Sequence, residues 1–294
     1  MVHRPFRLIV GCLVALLAGV SLGAQARERV AYVSLVDRAT GTARDTVVAA
    51  DIVIREDKVT REVLRVTPAS GPLPIAVLVD TSALAEPAIP DIRAALTAFL
   101  AALGDTGPVA IVGYGERPTV LTNYTNAREA LAAGIGKVFA RPGAAATVME
   151  AIFETAGGLG RREGERAAIV VISPTTPEQS NIHFTRALSR LESSGATLHV
   201  VTLTAPGRAL FDDNARQRDT LFDRGVRLSG GTRRDVVASQ AFPQALTEVA
   251  GVLTHQFRVV YARPQALIPP DTFEVTATAP GLTAYGGVAR GQPK

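Results

Sequence analysis

An uninterrupted apolar run, Ile75–Val79, constrains the fold of this chain more than any other feature. Five consecutive apolar residues are typical of a parallel strand that is covered on both faces. Apolar residues then follow at helical spacing, beginning with Ile89, Ile92, Leu96 and Phe99. A buried strand followed by an amphipathic helix is the repeating unit of an α/β sheet.

The same alternation continues along the chain. We predict further strands at 109–112, 167–172, 197–203 and 232–237. We predict helices at 89–103, 127–138, 148–159, 184–191, 220–228 and 242–253. Parallel strands joined by helices of this length require right-handed crossovers. The sequence therefore predicts an α/β fold with an open, mostly parallel, doubly wound sheet and helices on both faces.

Strand patterns return on both sides of this α/β region, so we also predict flanking β-rich segments at both ends. We divide the chain into a signal peptide (1–26), an N-terminal β-rich region (27–71), an α/β domain (72–262) and a C-terminal β extension and tail (263–294). We expect residues 257–261 to extend the central sheet. We expect residues 272–277 to pair with the first β region.

The first 26 residues have the three parts of a secretory signal. A short basic segment is followed by the uncharged run 8–22 and then by Ala24-Gln25-Ala26, a small-x-small cleavage pattern. An uncleaved membrane anchor is an alternative, although the run is shorter than the roughly 20 apolar residues that span a bilayer. Residues 9–12 resemble a lipobox, but most of the apolar run follows Cys12, which is the wrong order. We predict export, to the periplasm or the medium.

Composition excludes several classes of function. Hydrophobic residues make up 47% of the chain, which is typical of a globular protein. Cys12 is the single cysteine and lies in the signal, so disulfides, zinc-thiolate sites and cysteine catalysis are excluded from the processed chain. Only three of the 31 basic residues are lysines, and basic and acidic residues are interleaved, so we expect no nucleic-acid partner.

Polar residues directly after the first buried strand point to a family. Asp80 and Ser82 follow that strand, Thr147 precedes a predicted helix, and Ser173 directly follows the predicted strand at 167–172. In this order along the chain, the pattern resembles the metal-ion-dependent adhesion site of the von Willebrand factor type A domain. More narrowly, Asp51-Ile52 and the closing Pro280-Gly-Leu resemble the flanks of exported bacterial proteins called VWFA-related, known first from acidobacteria.

The resemblance implies a site for Mg²⁺, built in the family from Asp-x-Ser-x-Ser, a Thr and a second Asp. Asp80, Ser82 and Thr147 match three of these five positions, whereas Leu84 replaces the second Ser and Pro174 the last Asp. The adhesion site is therefore degenerate, because both the number of oxygen ligands and the negative charge fall.

Three further residues, Thr175, Thr176 and Glu178, could replace the lost Asp on an unusual loop path. A simpler interpretation is that the matching residues cap helices. Asp80 and Ser82 would cap the segment after the strand. Thr147 would form a capping box with Glu150.

No catalytic sequence motif is found in this chain. Neither Gly-x-Gly-x-x-Gly nor a phosphate-binding Gly-Lys-Ser/Thr loop is present, and no Gly-x-Ser-x-Gly elbow accompanies Ser82 or Ser173. His199 lies in an apolar run, whereas His183 and His255 border helices. We therefore expect no enzyme.

The sequence predicts an exported protein-binding or scaffold-type module with a degenerate site. An Mg²⁺-dependent adhesin-like module is the alternative, and a hydrolase has the least support. We expect a protein partner, membrane contact only through an uncleaved signal, and no cofactor apart from Mg²⁺ in the alternative.

Overall fold

The computed structural model describes residues 26–174, 177–204, 212–264 and 268–291. The signal prediction falls on residues 1–26, of which 1–25 lie outside the described residues, and so do Thr175 and Thr176. Among the described helices, none is long and apolar enough to cross a membrane.

The elements of the described chain follow in sequence order. The strands are β1 (Ala26–Asp37), β2 (Ile52–Glu56), β3 (Val59–Arg61), β4 (Val63–Pro68), β5 (Ile75–Val79), β6 (Val109–Gly113), β7 (Thr119–Thr125), β8 (Ala168–Ser173), β9 (Thr197–Leu203), β10 (Arg233–Val236), β11 (Phe257–Pro264), β12 (Phe273–Ala277) and β13 (Leu282–Val288). The helices are α1 (Ile89–Leu103), α2 (Arg128–Gly136), α3 (Val148–Gly160), α4 (Phe184–Ser194), α5 (Asp213–Ser229) and α6 (Phe242–Thr254).

A six-stranded sheet in the order β10-β9-β8-β5-β6-β7 forms the centre of the molecule. All neighbouring strands are parallel except β7, which is antiparallel to β6. The predicted mostly parallel α/β sheet is therefore confirmed. The sequence prediction missed β7, because its polar and apolar residues only partly alternate and its pairing with β6 is irregular.

Apolar layers cover both faces of this sheet. Every residue of β5, β6 and β8 is buried. On one face, Ile92, Leu96 and Phe99 of α1 pack with Phe242 and other apolar residues of α6. On the opposite face, apolar residues of α3, α4 and α5 form a second core. Covering both faces of a parallel sheet excludes water from the strands and leaves polar side chains to collect at the strand ends.

Helix α5 begins earlier than predicted. The prediction started at residue 220, because apolar periodicity is visible only from there, but the helix starts at Asp213. The side chain of Asp212 accepts hydrogen bonds from the backbone N–H groups of Asn214 and Ala215, at 2.9 and 3.3 Å. A side-chain cap thus extends the helix into a charged segment that has little apolar periodicity.

Two smaller antiparallel sheets join the chain ends. One has the order β13-β1-β11-β4, and the other has the order β12-β2-β3. The predicted pairing of residues 272–277 with the first β region is confirmed by β12 and β2. The prediction that residues 257–261 extend the central sheet is wrong, because β11 pairs with β1 and β4 and packs into a separate apolar core with Leu35 and Ile54.

Gly230 provides a test of how the central unit meets β13. It ends α5 with a φ of 71°, and a Cβ at this position would lie 1.7 Å from the carbonyl oxygen of Gly286. Gly281, in the turn before β13, has a φ of 82° and no neighbouring atom within 4 Å of such a Cβ. We expect Gly230→Ala to lower the free energy of unfolding by about 3 kcal/mol or more, because two backbones must separate.

The matched Gly281→Ala variant has only the positive φ to accommodate and should cost about 1–2 kcal/mol. Urea unfolding of the two variants measures the difference. Equal losses would show that α5 and β13 are not held this closely.

Candidate functional site

The loops beyond the carboxyl ends of β5 and β6 are tied together by backbone hydrogen bonds. The N–H of Ala83 donates to the carbonyl of Ala144 at 2.8 Å, and the N–H of Glu116 donates to the carbonyl of Ala145. The N–H of Gly115 donates to the hydroxyl of Thr81 at 2.8 Å. We call residues 80–84, 114–116 and 144–147 the carboxyl edge. Ligand crevices of open α/β sheets lie at this edge.

Tyr114 is the structural centre of the carboxyl edge. Its N–H donates to the carbonyl of Val79, and its own carbonyl accepts from both the N–H and the hydroxyl of Thr147, at 2.9 and 3.1 Å. The Tyr114 hydroxyl donates to the carbonyl of Ile172 at 2.7 Å. Burial, together with the negative charge of Asp80, raises the pKa of Tyr114 well above its ordinary value. The phenol is therefore a neutral donor that links three loops, a role the sequence did not indicate.

The predicted site residues are all buried at this edge. Asp80, Ser82 and Thr147 are exposed by 0%, 1% and 3%. One oxygen of Asp80 accepts from the N–H of Ser82 at 2.7 Å. The hydroxyl oxygen of Ser82 is shielded from solvent and has no hydrogen-bond partner. Such a hydroxyl is costly unless a ligand or water satisfies it.

The capping interpretation is not borne out for the matching residues. Asp80 accepts from the N–H of Ser82, two residues on, and so closes a turn before the next helical segment without capping it. Ser82 precedes the short 3₁₀ helix Ala83–Ala88 but makes no capping bond with its side chain. Thr147 occupies the N-cap position of α3, yet its hydroxyl bonds the carbonyl of Tyr114 and no cap bond forms.

The capping box predicted for Thr147 is therefore wrong, and Glu178 and Ser180 cap α3 instead. One oxygen of Glu178 accepts from the N–H of Val148 at 3.1 Å, and the other accepts from the N–H and the hydroxyl of Ser180. The Ser180 hydroxyl oxygen in turn accepts from the N–H of Glu150 at 3.3 Å. From the sequence, Glu178 is predicted only as a replacement ligand, because a cap supplied from 30 residues away leaves no local pattern.

The oxygen ligands that these residues offer do not complete a tight site for a divalent cation. Asp80 supplies a carboxylate, and the oxygens of Ser82 and Thr147 bring the ligands to three. Leu84 carries no donor and is 63% exposed. Both oxygens of Glu178 are already committed to the start of α3. Mg²⁺ requires near-octahedral oxygen coordination, so most of its ligands would have to be waters or a partner's groups.

The histidines are engaged elsewhere. His199 lies within β9, is buried, and contacts the hydroxyls of Thr232 and Thr197 at 3.0 and 3.2 Å. Burial, assisted by Arg234, lowers the pKa of His199 to about 3, so the ring is neutral. His183 caps α4 through the N–H of Thr185. No hydrogen bond among the described residues joins a histidine to Ser82 or Ser173.

Glu178 gives a prediction on pH. Burial raises its pKa from 4.5 to about 7, although the donors from Ser180 and Val148 and the charge of Arg218 oppose the shift. A pKa raised in the folded state means that the associated stability is fully present below pH 4.5 and is lost as pH rises through about 7. The loss is on the order of 3 kcal/mol.

Urea unfolding of the wild type and of Glu178→Gln, with chelator present and at pH values from 4.5 to about 7, measures this loss of stability. We expect a flatter pH profile in the variant, whatever its absolute stability. Parallel profiles would show that Glu178 stays ionised in the folded protein.

No family model and no curated protein matches the sequence. The fold, however, is similar to solved structures. A von Willebrand factor type A protein from Catenulispora acidiphila matches with a TM-score of 0.52 at 11% identity, over 90% of this chain and 63% of that chain. Proximal thread matrix protein 1 from the mussel byssus matches with a TM-score of 0.51 at 10% identity, over 68% of this chain and 49% of that one.

The pilus adhesin SpaC from Lactobacillus rhamnosus GG, in its open conformation, matches with a TM-score of 0.50 at 10% identity, over 81% of this chain and 47% of the adhesin. This chain thus spans less than two thirds of each of the three proteins. Identities this low establish architecture alone. The chain has the fold of a von Willebrand factor type A domain.

Proposed function

We propose that this chain is an exported, non-enzymatic protein that binds another protein through its carboxyl edge, with little or no dependence on metal. The observation that carries the proposal is the arrangement of that edge. Buried oxygen-bearing side chains shape the loops, while Leu84 projects from them with 63% of its surface exposed. An exposed leucine where the family has a metal-ligating serine favours apolar contact with a partner over metal coordination.

Two further features support a binding role. The fold is shared with a protein described as a pilus adhesin, for which a binding role is stated in its name. Within the described residues, Ser82 and Ser173 also lack a histidine that could act as a base. A hydrolase therefore has no observation in its favour.

The buried hydroxyl of Ser82 favours one alternative, an Mg²⁺-dependent binding module. This oxygen has no partner in the described structure and lies next to a buried carboxylate. In the alternative, Asp80, Ser82 and Thr147 would hold the cation, and a partner carboxylate would complete its ligands.

Partner capture tests the proposal directly. The purified protein is immobilised and exposed to an envelope extract of the source cells, with chelator present. We expect a protein to be retained by the wild type and lost with Leu84→Asp, since a charge would interrupt the apolar contact. Leu228→Asp is the matched control, because Leu228 is 58% exposed at the far end of α5. Equal retention by both variants would place the partner surface elsewhere.

Thermal unfolding with added Mg²⁺ decides between the two forms of the function. A cation at about 100 times its Kd would stabilise the native state by about 2.7 kcal/mol. That corresponds to a rise in Tm of about 5–10 °C for a domain of this size. We expect a far smaller rise at millimolar Mg²⁺, because Asp80 is the single carboxylate among the three matching residues and Mg²⁺ prefers several oxygen ligands.

Asp80→Ala and Asp105→Ala provide the comparison. The Asp105 side chain is 96% exposed at the opposite end of the sheet. We expect both variants to respond to Mg²⁺ as the wild type does. A saturable rise that disappears in Asp80→Ala and persists in Asp105→Ala would establish the metal-dependent alternative.

A further inference from the structure

Polar side chains close one end of the apolar core between the two flanking sheets. Arg29 lies on β1 and Arg263 on β11, while Glu56 ends β2 and Arg61 ends β3. Arg29 pairs in register with Tyr261 of β11. Since side chains alternate along a strand, both point to the side on which their strands form the apolar core. We call Arg29, Arg61 and Arg263 the arginine cluster.

Glu56 is the acidic partner within this group. It is 1% exposed, and one of its oxygens accepts from the hydroxyl of Tyr261 at 2.9 Å. The other oxygen lies 3.0 Å from Nε of Arg61 and 3.6 Å from Nε of Arg263. One carboxylate is thus shared by a phenol and two guanidinium groups, so little of its capacity to accept further hydrogen bonds or ion pairs remains.

Arg29 remains without a counterion in the described structure. The residue is 8% exposed, and its Nε is shielded from solvent without a hydrogen-bond partner; no ion pair to Arg29 is found among the described residues. Arg166 is buried to the same extent but donates to the side chain of Gln256 at 2.9 Å and to the carbonyl of Gly71 at 2.6 Å. Burial alone therefore does not explain why Arg29 has no partner.

The charges of the group do not balance. Arg29, Arg61 and Arg263 carry three positive charges, and Glu56 supplies one negative charge. Arginine does not lose its proton in proteins, so the excess charge cannot be removed by titration. The buried Nε of Arg29 has lost its hydration without gaining a hydrogen-bond partner, which destabilises the anion-free protein. A bound anion would remove this cost.

We propose that Arg29 and Arg263 form a binding site for a small oxyanion, either a phosphate or a carboxylate. The two residues are diagonal neighbours on one face of the β1 and β11 pair, because Arg263 lies two positions beyond the register partner of Arg29. Diagonal neighbours lie about 7–8 Å apart at the backbone, a separation that two arginine side chains can bridge. Guanidinium groups bind two oxygens of such an anion in parallel. The site is formed by the flanking sheets and does not depend on the carboxyl edge.

Calorimetry and thermal unfolding test this site. Inorganic phosphate and succinate are titrated separately into the purified protein, with sodium chloride at equal ionic strength as the reference. We expect at least one of the two anions to bind and to raise Tm above the chloride reference. Phosphate alone would identify a phosphate-bearing ligand, and succinate alone a carboxylate ligand. No binding of either anion would overturn the proposal.

Arg29→Met separates anion binding from folding. Methionine keeps most of the apolar volume and removes the charge, so the anion-free variant should be at least as stable as the wild type. Its affinity for the anion should fall about tenfold or more. Arg65→Met is the matched control, since Arg65 lies on β4, is 56% exposed and pairs with Glu28 at 3.4 Å. Unchanged affinity in Arg29→Met, or marked destabilisation without anion, would contradict the site.

Discussion

The structure depends on one constraint, the exclusion of water from both faces of β5 and β8. These strands contain no charged residue, and each of their residues is buried. Backbone groups in such strands must be satisfied by neighbouring strands, and apolar side chains must be covered by helices on each side. Both requirements leave only the strand ends for polar groups. Asp80 and Ser82 therefore lie at the carboxyl edge because the sheet offers them no other place.

The same constraint determines how much of the fold could be predicted from the sequence. Two-sided burial produces continuous apolar runs, so β5, β8 and β9 were predicted to within a residue or two. Features set by contacts between distant residues left no such signal. β11 lies in a different sheet from the one expected because its partner is β1, at the other end of the chain.

The candidate site shows the same division. The order of polar residues along the chain was enough to predict that Asp80, Ser82 and Thr147 lie at one edge of the sheet. It could not reveal that Tyr114 would hold the loops together through the carbonyl of Ile172. It also could not show that Glu178 would cap α3. These roles depend on backbone groups that have the same chemistry in every residue, so the sequence around them carries no mark.

The larger flanking sheet requires strands that are distant in sequence to pair. β1 and β11 are far apart in sequence, and closing so long a loop costs conformational entropy that few contacts in a small sheet can offset. The folded central unit, which lies between β1 and β11 in the sequence, reduces this cost because it shortens the chain that remains free between the two strands. Arg290 then anchors the last described segment by donating to the carbonyls of Ser194 and Arg162, at 2.7 and 3.2 Å.

These anchors explain why an uncompensated charge is tolerated at Arg29. Ser194 ends α4 and Arg162 follows α3, so Arg290 places its positive charge near two helix C-termini, where a cation is stabilised. Arg166 adds a second connection between the central unit and the strands through Gln256. The apolar core around Tyr261 and these contacts hold β1 in register. The register fixes the position of Arg29, whatever that position costs in the absence of an anion.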